Sequence, residues 1–167
     1  MNENDDIKTI KEILEKHERR IKFLESMIPT LKNEEVKPVE GKVDFARLAQ
    51  KIGVDSEKIR QLFDIENNNL TLLKSIGEDE RERTKKIALL VLLAYRYFFG
   101  NEQVLSKEIR RNVAENRVPV NNFATYLNEL IPSLIRRMGK LKSPSTTYKL
   151  TPLGEAEAKE RIKKLCD

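Results

Sequence analysis

The chain has 167 residues, of which 39% are hydrophobic and 35% charged, and a net charge of +5. That is enough apolar material to bury a core beneath an unusually charged surface, and it excludes disorder along the whole length. One cysteine, Cys166, and one histidine, His17, exclude a disulfide framework and a metal cluster built by one chain, and no run approaches the roughly 18 apolar residues of a membrane helix.

The opening MNENDDIKTI is acidic and polar, the opposite of a secretory leader, so a cytoplasmic protein with no membrane partner is expected. Lys, Arg and Glu are abundant while glutamine occurs only at Gln50, Gln61 and Gln103, a bias that fits a heat-adapted source. Charge is unevenly spread. Up to position 80 there are 14 Lys and Arg against 18 Asp and Glu, a net −4; from 81 onward there are 18 against 9, a net +9. A polyanionic partner is therefore to be sought at the C-terminal half, the alternative being a merely solvated basic surface.

The first segment, residues 1–31, repeats apolar residues at steps of three and four. Ile7, Leu14, Ile21 and Ile28 fall at one heptad position; Ile10, His17, Leu24 and Leu31 fall at the other. This predicts a coiled-coil helix from about Asp5 to Met27, loosening at Pro29. Its seam pairs either with a second copy, giving a homodimer through Ile7, Ile10, Leu14, His17, Ile21, Leu24 and Ile28, or with the chain's own body. His17 reads as a polar insert that sets register. Residues 32–42, KNEEVKPVEGK, have no periodicity and read as a linker.

Residues 43–76 read as a small helix-turn-helix-like module with a hairpin. Phe45, Leu48, Ala49 and Ile52 share one helix face, Gly53 and Val54 make the break, and Ile59 and Leu62 resume the helix. The segment resembles the helix-turn-helix of many bacterial and archaeal regulators, with small Ala49 where the helices touch and Gly53 in the turn, where a positive φ is needed. An Asn67-Asn68 turn would pair Ile65 with Leu70 and Phe63 with Leu72. The second helix offers mainly Glu57, Lys58, Arg60 and Gln61 to solvent, which favours packing or protein contact over DNA contact for this module.

Residues 77–167 form the expected main domain. After the charged GEDERERTKK, Ile87 to Gly100 is nearly all apolar and predicts a helix buried on almost every side, ended by Gly100. Ser106 is an expected N-cap, with Ile109 and Val113 inward and Lys107, Arg110, Arg111 and Arg117 outward. VPV is a turn, and Asn121 is expected to cap a third helix, NNFATYLNELIPSLI. There Phe123, Leu127, Leu130 and Ile131 are the buried stripe and Asn122, Thr125, Tyr126, Asn128 and Glu129 look outward; Pro132 ends or kinks the helix. LIRRMGKLKSPSTTYKLTPLG reads as strand, polar loop, strand, with Tyr148 and Leu150 alternating with Lys149 and Thr151. Pro152 opens a last amphipathic helix through Ala156, Ile162 and Leu165.

The segment YKLTPLGEAEAKERI, from Tyr148 to Ile162, resembles archaeal winged helix-turn-helix regulators where the second wing strand enters the final helix. NNFATYLNEL is similar to their recognition helix, and the likeness spans about residues 87–165. It implies a winged helix-turn-helix that binds double-stranded DNA, without naming an operator or an effector. The residues agree. Between Val104 and Thr151 there are nine Lys and Arg against three Glu. Lys107, Arg110, Arg111 and Arg117 precede the reading helix, and Lys140, Lys142 and Lys149 sit on the wing, all suited to phosphates. Asn121, Asn122, Thr125 and Tyr126 are suited to base edges. Arg136 and Arg137 either join the wing contacts or stay solvated.

No phosphate-cradling glycine loop, metal-ligand set or Ser/His/Asp or Cys/His arrangement is present, so no catalytic residue, metal or cofactor is expected. Glu155 and Glu157 read as helix-surface charge. The fold expected is mainly α with small β-hairpin wings. The function expected is DNA binding by a dimeric regulator or chromosome-associated protein, the alternative being an adaptor that docks proteins through the coiled coil and winged helix.

Overall fold

A computed structural model of the chain describes residue 18 and residues 44–74, 77–140 and 143–166. The expected heptad seam (Ile7 to Leu31), the linker 32–42 and Lys142 lie outside the described residues. The chain divides into two compact units, Met1–Glu40 and Gly41–Asp167, and every element below belongs to the second.

The elements in order are α1 (Phe45–Ile52), α2 (Ser56–Arg60), β1 (Phe63–Glu66), β2 (Asn69–Leu72), α3 (Glu80–Phe99), β3 (Val104–Leu105), α4 (Ser106–Glu115), α5 (Phe123–Asn128), β4 (Ile135–Met138), β5 (Thr147–Leu150) and α6 (Pro152–Cys166). The protein is thus helical with small antiparallel sheets, one of order β1-β2 and one of order β3-β5-β4. Among the described residues no helix is long and apolar enough to cross a membrane.

The first pair of helices follows local chemistry. Asp44 and Asp55 accept the N-terminal amides of Arg47 and Glu57. Between them Gly53, at φ 79°, makes the left-handed turn, and its amide and that of Val54 both donate to the Ala49 carbonyl. The β1–β2 hairpin has the expected register, Phe63 opposite Leu72 and Ile65 opposite Leu70. Asn67 and Asn68 both have positive φ, 49° and 62°, which is what a two-residue hairpin turn matched to strand twist demands.

The centre of the structure is α3. It starts seven residues earlier than its apolar run, because Asp79 accepts the Glu82 amide and nucleates a charged first turn. It stops at Gly100, φ 71°. Every residue from Ile87 to Tyr95 is buried, and α3 packs against α1, β2, α4, α5, β5 and α6. Leu48, Ile59, Phe63, Leu70 and Leu72 of the first four elements belong to the same continuous core as Ile109, Leu127, Tyr148 and Ile162. The described residues of 43–76 and of 77–167, segments that read as separate modules in the sequence, share one core.

Two buried asparagines of α4 join them. Asn112 accepts the Leu72 amide through Oδ1 (2.9 Å) and donates through Nδ2 to the Leu70 carbonyl (3.0 Å). Asn116 donates to the Leu72 carbonyl at 2.9 Å. These side chains replace a third strand along the outer edge of β2, whose polar groups would otherwise be buried unpaired. At the other end, Lys58 donates to the Cys166 carbonyl and Lys74 to the Leu165 carbonyl (3.4 Å). Both cations so cap the C-terminus of α6.

Four local readings are corrected. Ser106 is the first residue of α4 rather than its cap: the chain enters the helix directly from β3, and the Ser106 amide completes the sheet by donating to the Thr146 carbonyl at 2.8 Å. Asn121 does not cap α5; the cap position is Asn122, whose side chain instead donates to the Tyr126 hydroxyl at 3.3 Å. The third helix is also shorter than NNFATYLNELIPSLI suggests. It ends at Asn128, where the Leu130 and Ile131 amides tighten onto Leu127 and Asn128, and Pro132 offers no amide to continue it. In α6 the apolar face runs through Ala158, Ile162 and Cys166, while Ala156 is exposed.

The start of α6 is fixed by Thr151, whose hydroxyl accepts the Gly154 amide at 3.0 Å and donates to the carbonyls of Ser133 and Leu134. A Cβ built at Gly154 would lie 1.8 Å from the Leu134 carbonyl oxygen. Gly154→Ala is therefore expected to force α6 from β4 and to destabilise the fold by about 1–3 kcal/mol; unchanged unfolding in denaturant would refute that contact. Asn112→Ala strands the buried Leu72 amide of β2 and leaves the Leu70 carbonyl to Arg111. Chemical denaturation is expected to show a loss of about 1–3 kcal/mol, and a change under about 0.5 kcal/mol would mean the β2 edge finds other partners.

Candidate nucleic-acid interface

The helix α4 has two faces with different duties. Ile109, Asn112, Val113 and Asn116 point inward. Lys107 and Arg110 point outward, one turn apart, and both are exposed. The β3 strand pairs with β5 through Val104 opposite Tyr148 and Leu105 opposite Thr147. That pairing holds the first turn of α4 beside the β4–β5 loop. The segment ahead of α5 closes the third side.

The result is a cleft of about 480 Å³. Lys107, Arg110 and Asn121 line it together with Ser106, Ser143 and Thr146. Val120, Phe123, Ala124, Pro144 and Tyr148 supply its apolar wall. Among the described residues, Lys107, Arg110 and Asn121 have no side-chain hydrogen bond or ion pair. Asn122, Thr125 and Tyr126 continue outward along α5, the first two exposed and Tyr126 half-buried. Lys140 is exposed at the start of the loop, where its carbonyl accepts the Ser143 amide and the Thr146 hydroxyl.

Other expected contacts are elsewhere. Arg111 is turned inward: it donates to Asn69 Oδ1 (3.0 Å) and the Leu70 carbonyl (3.2 Å) and pairs with Glu108 at 2.9 Å. Its Nε faces Glu115 at 3.6 Å, within ion-pair range but beyond hydrogen-bond range. Arg117 has φ 56° and lies at the far end of α4, roughly 15 Å from Lys107 at the helical rise. Lys149 is opposite Arg136 in the β4–β5 register, on the other face of the hairpin from Tyr148. It lines a groove with Arg96, Glu102 and Glu155 instead. Arg137 shares the Tyr148 face and donates to Asn128 Oδ1 at 3.0 Å, tying the hairpin to the end of α5. Glu155 and Glu157 are ion-paired: Glu155 accepts from Arg96 and Tyr97, each at 2.8 Å, and pairs with Lys159 at 2.6 Å, while Glu157 pairs with Arg161 at 2.7 Å.

The electrostatics leave the cleft positive. A hydrogen bond from Arg81 (2.7 Å) and its charge hold the Glu129 carboxyl below its ordinary pKa, so the acidic residue next to α5 faces α3 in an ion pair. Burial pushes the Tyr148 phenol up, against the opposing pull of the Arg137 charge and of a hydrogen bond with Ser106. The phenol is neutral at physiological pH and adds no negative charge. Ser106, Ser143, Thr146 and Tyr148 were not singled out as site residues by sequence reading. The register that brings them to Lys107 depends on β3, a two-residue strand.

Among the described residues, no group of His, Cys, Asp and Glu is placed to hold a metal ion. Compared with known protein families, curated proteins and solved structures, the chain matches none.

The two arginines of α4 can be separated by stability. Arg111→Ala is expected to cost about 1–2 kcal/mol, allowing for its partial exposure, whereas Lys107→Ala and Arg110→Ala should stay within about 0.5 kcal/mol of the wild type. Equal losses at all three in thermal or denaturant unfolding would contradict this division.

Proposed function

We propose that the chain binds double-stranded DNA through a winged helix-turn-helix, with α4 and α5 as its paired helices and the β4–β5 loop as its wing. The observation that carries the reading is the convergence of Lys107, Arg110 and Asn121 on one cleft, without partners among the described residues. Nearby cations are committed internally: Arg111 to the hairpin, Arg137 to Asn128, Arg81 and Lys85 to Glu129. Lys107 and Arg110 face outward on this cleft with Lys140 exposed at its loop, a positive surface suited to a polyanion.

The roles divide by chemistry. Lys107, Arg110 and Lys140 take phosphates, which sets register and gives salt dependence. Asn122, Thr125 and Tyr126 begin α5 and meet base edges, the usual duty of the first residues of a reading helix. The order α3-β3-α4-α5-β4-β5-α6 supports this arrangement, since β3 clamps the wing strand β5 beside α4. Paired through the heptad between Ile7 and Leu31, two copies would read a roughly two-fold site, as a regulator or chromosome-associated protein does.

Duplex binding followed by fluorescence anisotropy across a salt series tests the proposal. Lys107→Ala and Arg110→Ala are each expected to lower the log–log salt slope by about one. Asn122→Ala or Thr125→Ala should cost about 1–3 kcal/mol on a preferred duplex and little on mixed sequence. Lys58→Ala, at the α6 cap, should leave the slope unchanged. Absence of salt-dependent duplex binding, with a partner protein captured through the same cations, would replace this reading by the adaptor.

A further inference from the structure

The cleft is larger than a row of backbone phosphates requires. At about 480 Å³ it falls within the range of about 300–1,000 Å³ typical of small-ligand sites. Two unlike walls meet in it. Phe123, Pro144 and Tyr148 form an apolar side, and Lys107 and Arg110 a doubly cationic one.

The double charge is not offset nearby on α4. Glu108 and Glu115 pair with Arg111 at 2.9 and 3.6 Å, on the side of the helix that faces the hairpin. A backbone phosphodiester carries one negative charge and brings no planar group to the apolar wall. A phosphomonoester carries between about 1.5 and 2 negative charges near neutral pH, and an aromatic ring joined to it would cover Val120, Ala124 and Pro144, behind which lie the buried Phe123 and Tyr148. Arg110 suits the phosphate as a planar fork and Lys107 as a point charge.

We propose that this cleft binds a small aromatic phosphomonoester, and that its occupancy competes with duplex DNA for Lys107 and Arg110. The competition rests on the DNA reading above; the binding of the small anion does not.

Phenyl phosphate is the probe, titrated calorimetrically into the full chain beside inorganic phosphate. Phenyl phosphate is expected to bind at least about tenfold more tightly, because burying the ring adds apolar contact. Lys107→Ala and Arg110→Ala, both at exposed positions, should each weaken it about tenfold. Ala124→Phe, which fills the apolar side, should abolish the advantage over inorganic phosphate. Equal affinity for the two anions, or alanine variants that bind as the wild type does, would overturn the proposal. A labelled duplex supplies the second arm. Displacement by phenyl phosphate supports competition, and a bound duplex that saturating phenyl phosphate leaves in place overturns competition while keeping DNA binding. Phenyl phosphate binding without duplex binding at any salt would keep the small-anion site and overturn the DNA reading.

Discussion

The outer edge of β2 has to be satisfied inside the protein, and Asn112 and Asn116 do this from α4. A buried strand edge with unpaired amides and carbonyls would cost several hydrogen bonds' worth of desolvation. Meeting that requirement fixes the rotation of α4 about its axis, because both asparagines and the apolar Ile109 and Val113 must face the same way. Once that face is set, Lys107 and Arg110 have to point outward. The outward charge is thus a consequence of how the first hairpin is held.

The same economy explains why so few cations remain available at the cleft. Lys58 and Lys74 cap α6, Arg111 braces β2, and Arg137 ties the second hairpin to α5. Each is an ordinary way to terminate a helix or quiet a strand end. A count of Lys and Arg along the sequence sums these bracing residues with those that face solvent, and only their surroundings distinguish the two. The small-anion proposal follows from the same distinction, since an uncompensated pair of cations beside an apolar wall is what the bracing leaves.

Much of the fold was legible because it rests on local rules. The Asn67-Asn68 turn fixed the register of the first hairpin, Gly53 and Gly100 marked their helix ends, and the apolar run from Ile87 located the central helix. What escaped depended on distant partners. Strand β3 has two residues and exists through β5, so Ser106 read as a cap when it begins the helix. The shortening of α5 reflects tight turns before Pro132 that apolar spacing alone does not reveal. At the candidate site, Lys107 and Arg110 were legible as outward cations, whereas Asn121 read as a helix cap. Arg111 was not legible as internal, because its partners Asn69 and Leu70 lie about 40 positions away.

The central claim is that one surface, centred on the cleft between α4, α5 and the β4–β5 loop, meets DNA. Titrating a mixed-sequence duplex into the isotopically labelled full chain and following backbone amide shifts tests it most directly. The account predicts changes concentrated at Ser106 to Arg110, Asn121 to Tyr126 and Ser143 to Thr146, with residues around Arg47, Lys51 and Lys58 unmoved. Shifts centred instead on α1 and α2, or none at low salt, would contradict it.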